Sequence, residues 1–121
     1  MPDQERMTSL IEKLVSLSAE DKLAWVETAN EETFQTAHQK FVIMMSRQRD
    51  NNWSWDYQLQ ILDTTGKLLE EVWDNDLRQC ETSDGVRLPE AMKNLHDLAR
   101  RRAHRVDEKL SDLLASLDKI R

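Results

Sequence analysis

The stretch SWDYQLQILDTTGKLLEEVWDNDLRQCE, residues 54–81, decides how the chain is read. Its apolar positions Trp55, Leu59, Leu62, Leu69, Val72, Trp73, Leu77 and Cys80 can be laid along one helical stripe. Gly66 falls on the same stripe. There it either lets another helix approach closely or, with Thr64 and Thr65, weakens the helix locally. The stretch therefore reads as a long helix. It lies between the polar break Arg49-Asp50-Asn51-Asn52 and the turn Thr82-Ser83-Asp84-Gly85.

Downstream, Pro89 suits the first position of a final helix. Its stripe is Met92, Leu95, Ala99, Ala103, Val106, Leu110, Leu113, Leu117 and Ile120, nearly a heptad with one extra residue between Ala99 and Ala103. Such a run predicts coiled-coil-like packing along a helix of ~30 residues and ~45 Å. Upstream, Asp3 caps a first helix to about Ser16, with Met7, Leu10, Ile11 and Leu14 on one face. Ser18 caps a second helix that turns Leu23, Val26, Phe34, Ala37, Phe41, Met44 and Met45 inward. It either bends at Asn30, which could cap a new helix, or runs on unbroken to about Arg49. The predicted architecture is one all-α domain over residues 1–121, a bundle of four or five helices. Its two long C-terminal helices form an antiparallel hairpin.

Composition agrees with this picture. The 121 residues are 39% hydrophobic and 33% charged, with only two Gly and two Pro, so few turns are encoded. Cys80 is the lone cysteine, so no internal disulfide can form. With no signal peptide in view, a cytoplasmic protein is expected. The longest apolar run, Phe41 to Met45, is far short of the ~20 residues that cross a bilayer. A net charge of −6 disfavours non-specific nucleic-acid binding by the molecule as a whole. From Asp50 to Asp84 nine acids face only Lys67 and Arg78, whereas Arg87 to Arg105 holds six bases against Glu90 and Asp97. Neutralisation between two paired helices accounts for that asymmetry.

Four groups of residues bear on function. On a helix, Trp53 and Tyr57 share a face that Trp55 does not, which predicts an exposed aromatic contact surface with Trp55 in the core. Leu113 and Leu117 belong to a stripe longer than one small domain can cover, which predicts a homodimer. Arg100, Arg101, Arg102 and Arg105 form either a phosphate-binding stripe or a set of intramolecular ion pairs. Glu27, Glu31, Glu71 and Asp74 could converge from two helices around Mg²⁺. The Glu71-Val72-Trp73-Asp74 segment resembles the E-x-x-D half of the motif in all-α nucleotide pyrophosphatases of the MazG type. The E-x-x-E half expected on an earlier helix has only Glu27, Glu31 and Glu32 to answer it, at the wrong spacing.

His96 and His104 lie ~12 Å apart along a helix, too far to share a metal, and His38 has no nearby His or Cys. No Gly-rich phosphate loop or nucleophile elbow occurs, so no catalytic residue is assigned. The expected function is a small non-enzymatic interaction protein, a regulator, adaptor or inhibitor, with a protein partner, no cofactor and no membrane insertion. A Mg²⁺-dependent nucleotide hydrolase and a nucleic-acid-binding helical protein are the alternatives.

Overall fold

Trp55, Tyr57, Leu59 and Ile61 alternate with Asp56, Gln58 and Gln60, and this period of two governs the local structure. The computed structural model describes residues 3–120. It contains a helix α1 (Gln4–Ala19) and strands β1 (Val26–Glu27), β2 (Thr33–His38), β3 (Phe41–Arg49), β4 (Trp55–Asp63) and β5 (Leu68–Trp73). A 3₁₀ turn (Asp74–Leu77) leads to helices α2 (Leu88–Ala103) and α3 (Val106–Leu117). The strands form one antiparallel meander in the order β1-β2-β3-β4-β5.

The all-α bundle is thus overturned, and with it the helical hairpin and the coiled coil. The segment expected as the second helix is β1, β2 and β3, and the segment expected as the third is β4, β5 and the 3₁₀ turn. Two aspartates turn those segments into hairpins. The Asp50 carboxylate accepts from the amides of Asn52 and Ser54, at 2.8 and 2.9 Å, and Trp53 sits at φ 63°. The Asp63 carboxylate accepts from the Thr65 hydroxyl and from the amides of Thr65 and Lys67, and Gly66 takes φ 90°. The Thr65 hydroxyl and the Lys67 amide, in that order, hold the Asp63 carboxyl below its ordinary pKa. Such Asx turns reverse the chain where a helix reading sees only polar residues.

Only one sheet face is covered. Helix α2 lies across β1 to β4, and α1 packs alongside α2. From α1 come Met7, Ile11 and Leu14, and from α2 Leu88, Met92, Leu95 and Ala99, both at spacings of three and four. They meet Phe34, Ile43, Met45, Tyr57, Leu59 and Val72 of the sheet. Trp25 is buried beneath α1, where its indole N–H donates to the Ser18 hydroxyl at 2.9 Å. The expected first helix and its Asp3 cap are present, as are the turn at Gly85 and a helix opening at Pro89.

His96 is 2% exposed and lies edge-on to Phe34 and Tyr57. Its Nε2 stands 2.9 Å from the Glu32 carbonyl oxygen, so Nε2 carries the proton and donates. Burial, the main cause, and the nearby positive charges of Arg47 and Arg100 keep its pKa below the ordinary 6.5. The fold therefore favours neutral His96, and its contribution is fully present above pH 6.5. That contribution is lost as pH falls from there toward the lower folded value. Urea unfolding at stepped pH should show declining stability below pH 6.5. His96→Gln, which keeps a donor but does not titrate, should flatten that decline.

The aromatic assignment also changes. Tyr57 is 5% exposed and belongs to the core, whereas Trp53 is 78% exposed at the tip of the β3–β4 turn. Trp55 is half-buried, flanked by the guanidinium groups of Arg47 and Arg49 at 3.9 and 4.3 Å from its ring centre. A strand sets Trp55 and Tyr57 on the same face, which a helix separates. Tyr57→Ala should cost ~3–5 kcal/mol as a core cavity, and Trp53→Ala less than ~0.5 kcal/mol, both read by chemical denaturation.

Candidate interaction surface

The last expected helix is divided in two. Helix α2 is capped at His104, whose backbone N–H donates to the Arg100 carbonyl, and Arg105, whose N–H donates to the Arg102 carbonyl, takes a left-handed conformation at φ 55°, ψ 45°. A non-glycine residue there costs ~1–2 kcal/mol, so its surroundings must hold it. They do so with charge. Asp107 accepts from Arg101 at 2.7 Å and lies 3.8 Å from Arg102, and Glu108 lies 3.3 Å from Arg105. Asp107 and Glu108 also place negative charge at the positive end of the α3 dipole.

Helix α3 is fixed in direction at its root and buries none of its residues. Its substantial packing is against α2 alone. Leu110, Leu113, Leu114 and Leu117 follow the i, i+3, i+4, i+7 pattern of one face. They are 48%, 53%, 63% and 51% exposed, and Ile120, just past the helix, is 71% exposed. Leu113 and Leu117, expected at a partner interface, thus lie on a bare apolar face. Leu114 was missed because it falls outside the heptad stripe. Its spacing from Leu110 and Leu117, four and three residues, is the signal that places it on the same face.

The arginine run is occupied within the chain. Arg100 donates to Asp97 at 2.9 Å, Arg101 to Asp107, and Arg105 faces Glu108. Arg102 goes further: its guanidinium donates to the Ser18 and Ala19 carbonyls at 3.1 and 2.9 Å and lies 3.6 Å from Asp21. It thereby caps the C-terminal end of α1 and ties α1 to α2. The expected pairing of these bases with an acidic third helix gives way to these local partners.

The four acids expected around Mg²⁺ do not come together. Glu27 is on β1 and Glu71 on β5, opposite edges of the sheet and ~19 Å apart at ordinary strand spacing. Glu31 lies between β1 and β2, and Asp74 opens the 3₁₀ turn. Glu71 accepts from the Gln58 amide at 2.7 Å, and Glu27 pairs with His104 Nδ1, fastening α2 to the short strand β1. Because Glu71 is on a strand, the E-x-x-D segment lacks the helix its resemblance implies. Asp74 has a raised pKa, chiefly from partial burial, with the Asp56 charge adding to it. No trio of His, Cys, Asp or Glu among the described residues is placed to hold a metal ion.

Several hollows mark the surface, the largest an acidic one of about 550 Å³ lined by Asp50, Asp56, Asp74, Asp76 and Arg78 among others, and two more flank the sheet. One, of about 390 Å³, lies between the β1–β2 turn and α2 and is lined by Glu27, Glu32, Arg47, Arg100 and His104 among others. Two of its acids are engaged within the chain, Glu32 with Arg47 at 2.7 Å and Glu27 with His104 Nδ1. Partial burial works against the Arg47 charge, but the oxygens of Glu32 and Tyr57 outweigh it and raise its pKa. The other hollow, of about 450 Å³, lies on the uncovered sheet face. Met44, Ser46, Gln58, Gln60 and Trp73 line it, and they are half-buried although no helix covers them. Among the described residues no helix is long and apolar enough to cross a membrane, and Cys80 is a half-buried free thiol.

No family model, curated protein or solved structure matches the chain.

The arginine geometry separates one residue from its neighbours. Arg102→Gln should lower stability by ~1–2 kcal/mol through lost charged hydrogen bonds to carbonyls. Arg100→Gln and Arg105→Gln should change it by less than ~0.5 kcal/mol, as exposed pairs do. Urea denaturation of the three variants distinguishes them.

Proposed function

We propose that this protein is a non-enzymatic interaction module whose docking element is α3. The observation that carries this reading is the bare leucine face of a helix fixed in direction by Asp107, Arg101 and Arg102. A soluble protein gains nothing from exposing four leucines and an isoleucine along one line, and contiguous apolar surface of this kind marks contact sites. A helix of 12 residues is marginal in water without a partner surface. Fixing its direction in advance lowers the entropy lost on docking. The charged residues of the α2–α3 junction act as a mount for the helix. The hollows lend this reading no rival: Glu27 and Glu32 of one are engaged with His104 and Arg47, another is lined mainly by uncharged side chains, and among the described residues no trio of acids, the aspartates of the acidic hollow included, is placed to hold a metal ion.

The test is removal of residues 106–121, with unfolding followed at sub-micromolar protein so that association contributes little. Since α3 buries nothing of its own, stability should change by less than ~1 kcal/mol, the scale of the exposed ion pairs lost. A loss above ~3 kcal/mol would make α3 part of the fold itself and would overturn the proposal.

A further inference from the structure

We infer that α3 docks on α3 of a second copy of this chain, antiparallel, about a two-fold axis near Ala115. The inference rests on α3 being the docking element. It adds the identity of the partner and the geometry.

The stripe is self-complementary in one register. Setting Leu113 opposite Leu117 of the partner subunit, and the converse, sets Leu110 opposite Ile120 of the partner subunit. The axis then brings the two copies of Leu114 together on one side of the pair and the two copies of Ser116 together on the other. All five exposed apolar residues are covered at once, and the small Ser116 permits close approach where the helices cross. A parallel, in-register pair would instead crowd the two sheet domains together. The antiparallel pair keeps the two sheet domains at opposite ends. It also sets the last turn of α3, which has no basic residue, beside the positive end of the facing helix.

The charge of the polar face argues against a lipid occupant. Asp107, Glu108, Asp112 and Asp118 outnumber Lys109 and Lys119, so an anionic membrane surface repels it. The area available fits a modest dimer. Half-covered leucines offer roughly 50 Å² of apolar surface each, so the five residues on two copies supply about 500 Å², and with their polar rim the pair stays below the ~1,200 Å² of stable interfaces, in the range of weak association.

The full chain should sediment as a monomer near 1 µM and as a dimer by about 200 µM. Leu113→Asp with Leu117→Asp should stay monomeric throughout, with an unchanged circular dichroism spectrum because neither side chain is in the core. Orientation is read in a Cys80→Ser background. Under mild oxidation Ser116→Cys should give covalent dimers, while Asp112→Cys, away from the seam, should not. A wild-type monomer at 200 µM would overturn the second copy as partner. A stable, truncated protein lacking α3 would still leave the docking element standing, so the two failures are distinguishable. Dimers that cross-link through Leu113→Cys but not through Ser116→Cys would overturn the antiparallel arrangement. Binding of the monomer to phosphatidylglycerol vesicles would assign the stripe to lipid and overturn the proposal.

Discussion

The antiparallel ladder between β3 and β4 supports the rest of the molecule. Its nine residue pairs run from Phe41 opposite Asp63 to Arg49 opposite Trp55. Because the side-chain period is two, this register alone sends Ile43, Met45, Tyr57 and Leu59 to one face and Met44, Ser46, Gln58 and Gln60 to the other. The first set is the floor on which α2 lies, and the second lines the open face. A slip by one residue would exchange the two faces, and α2 would have no apolar floor. The hydrogen bonds of Asp50 within the connecting turn help pin the register.

Helix α2 depends on that floor and passes the constraint on. Its face toward the sheet carries His96, and its last turn carries His104. Phe34 of β2 touches both rings edge-on, at centroid distances of 5.4 and 5.3 Å. The same helix receives α1 on its flank, joined there by Arg102. With α2 held on the sheet, by α1 and by the Glu27–His104 contact, the orientation of its C-terminal end is set. The direction in which α3 leaves the body follows from that.

What could be read from the sequence divides along a physical line. The helix start at Asp3, the turn at Gly85 and the entry at Pro89 rest on local chemistry, and each is present. The sheet is tertiary in origin. Between Phe41 and Trp73 the apolar residues fit a helical stripe loosely, as Trp55, Leu59 and Leu62, and a strand face strictly, as Trp55, Tyr57, Leu59 and Ile61. Isoleucine, tyrosine and tryptophan in that second set favour strands. The scarcity of Gly and Pro concealed the reversals, because Asp50, Asp63 and Gln39 make them with only Gly66 to help. The break at Arg105 had one sequence trace, the extra residue in the stripe between Ala99 and Ala103. Leu113 and Leu117 were legible as neighbours on one apolar face because their spacing of four residues puts them on one side of any helix there. Tyr57 was not, because its burial follows from the strand period.

An antiparallel sheet also has borders, and their composition bears on how this chain meets other copies of itself. The row of unpaired amides and carbonyls along a border strand invites pairing with any similar strand. Here β1 is only two residues long. At the other border β5 carries the adjacent carboxylates Glu70 and Glu71, and its pairing with β4 is interrupted by an irregularity at Ile61 and Leu62. Short length, like charge and a broken register are the devices that keep sheets from growing edge to edge. These devices disfavour open-ended growth of the sheet, and the two-fold pairing proposed for α3 would add apolar contact without adding a route to fibres.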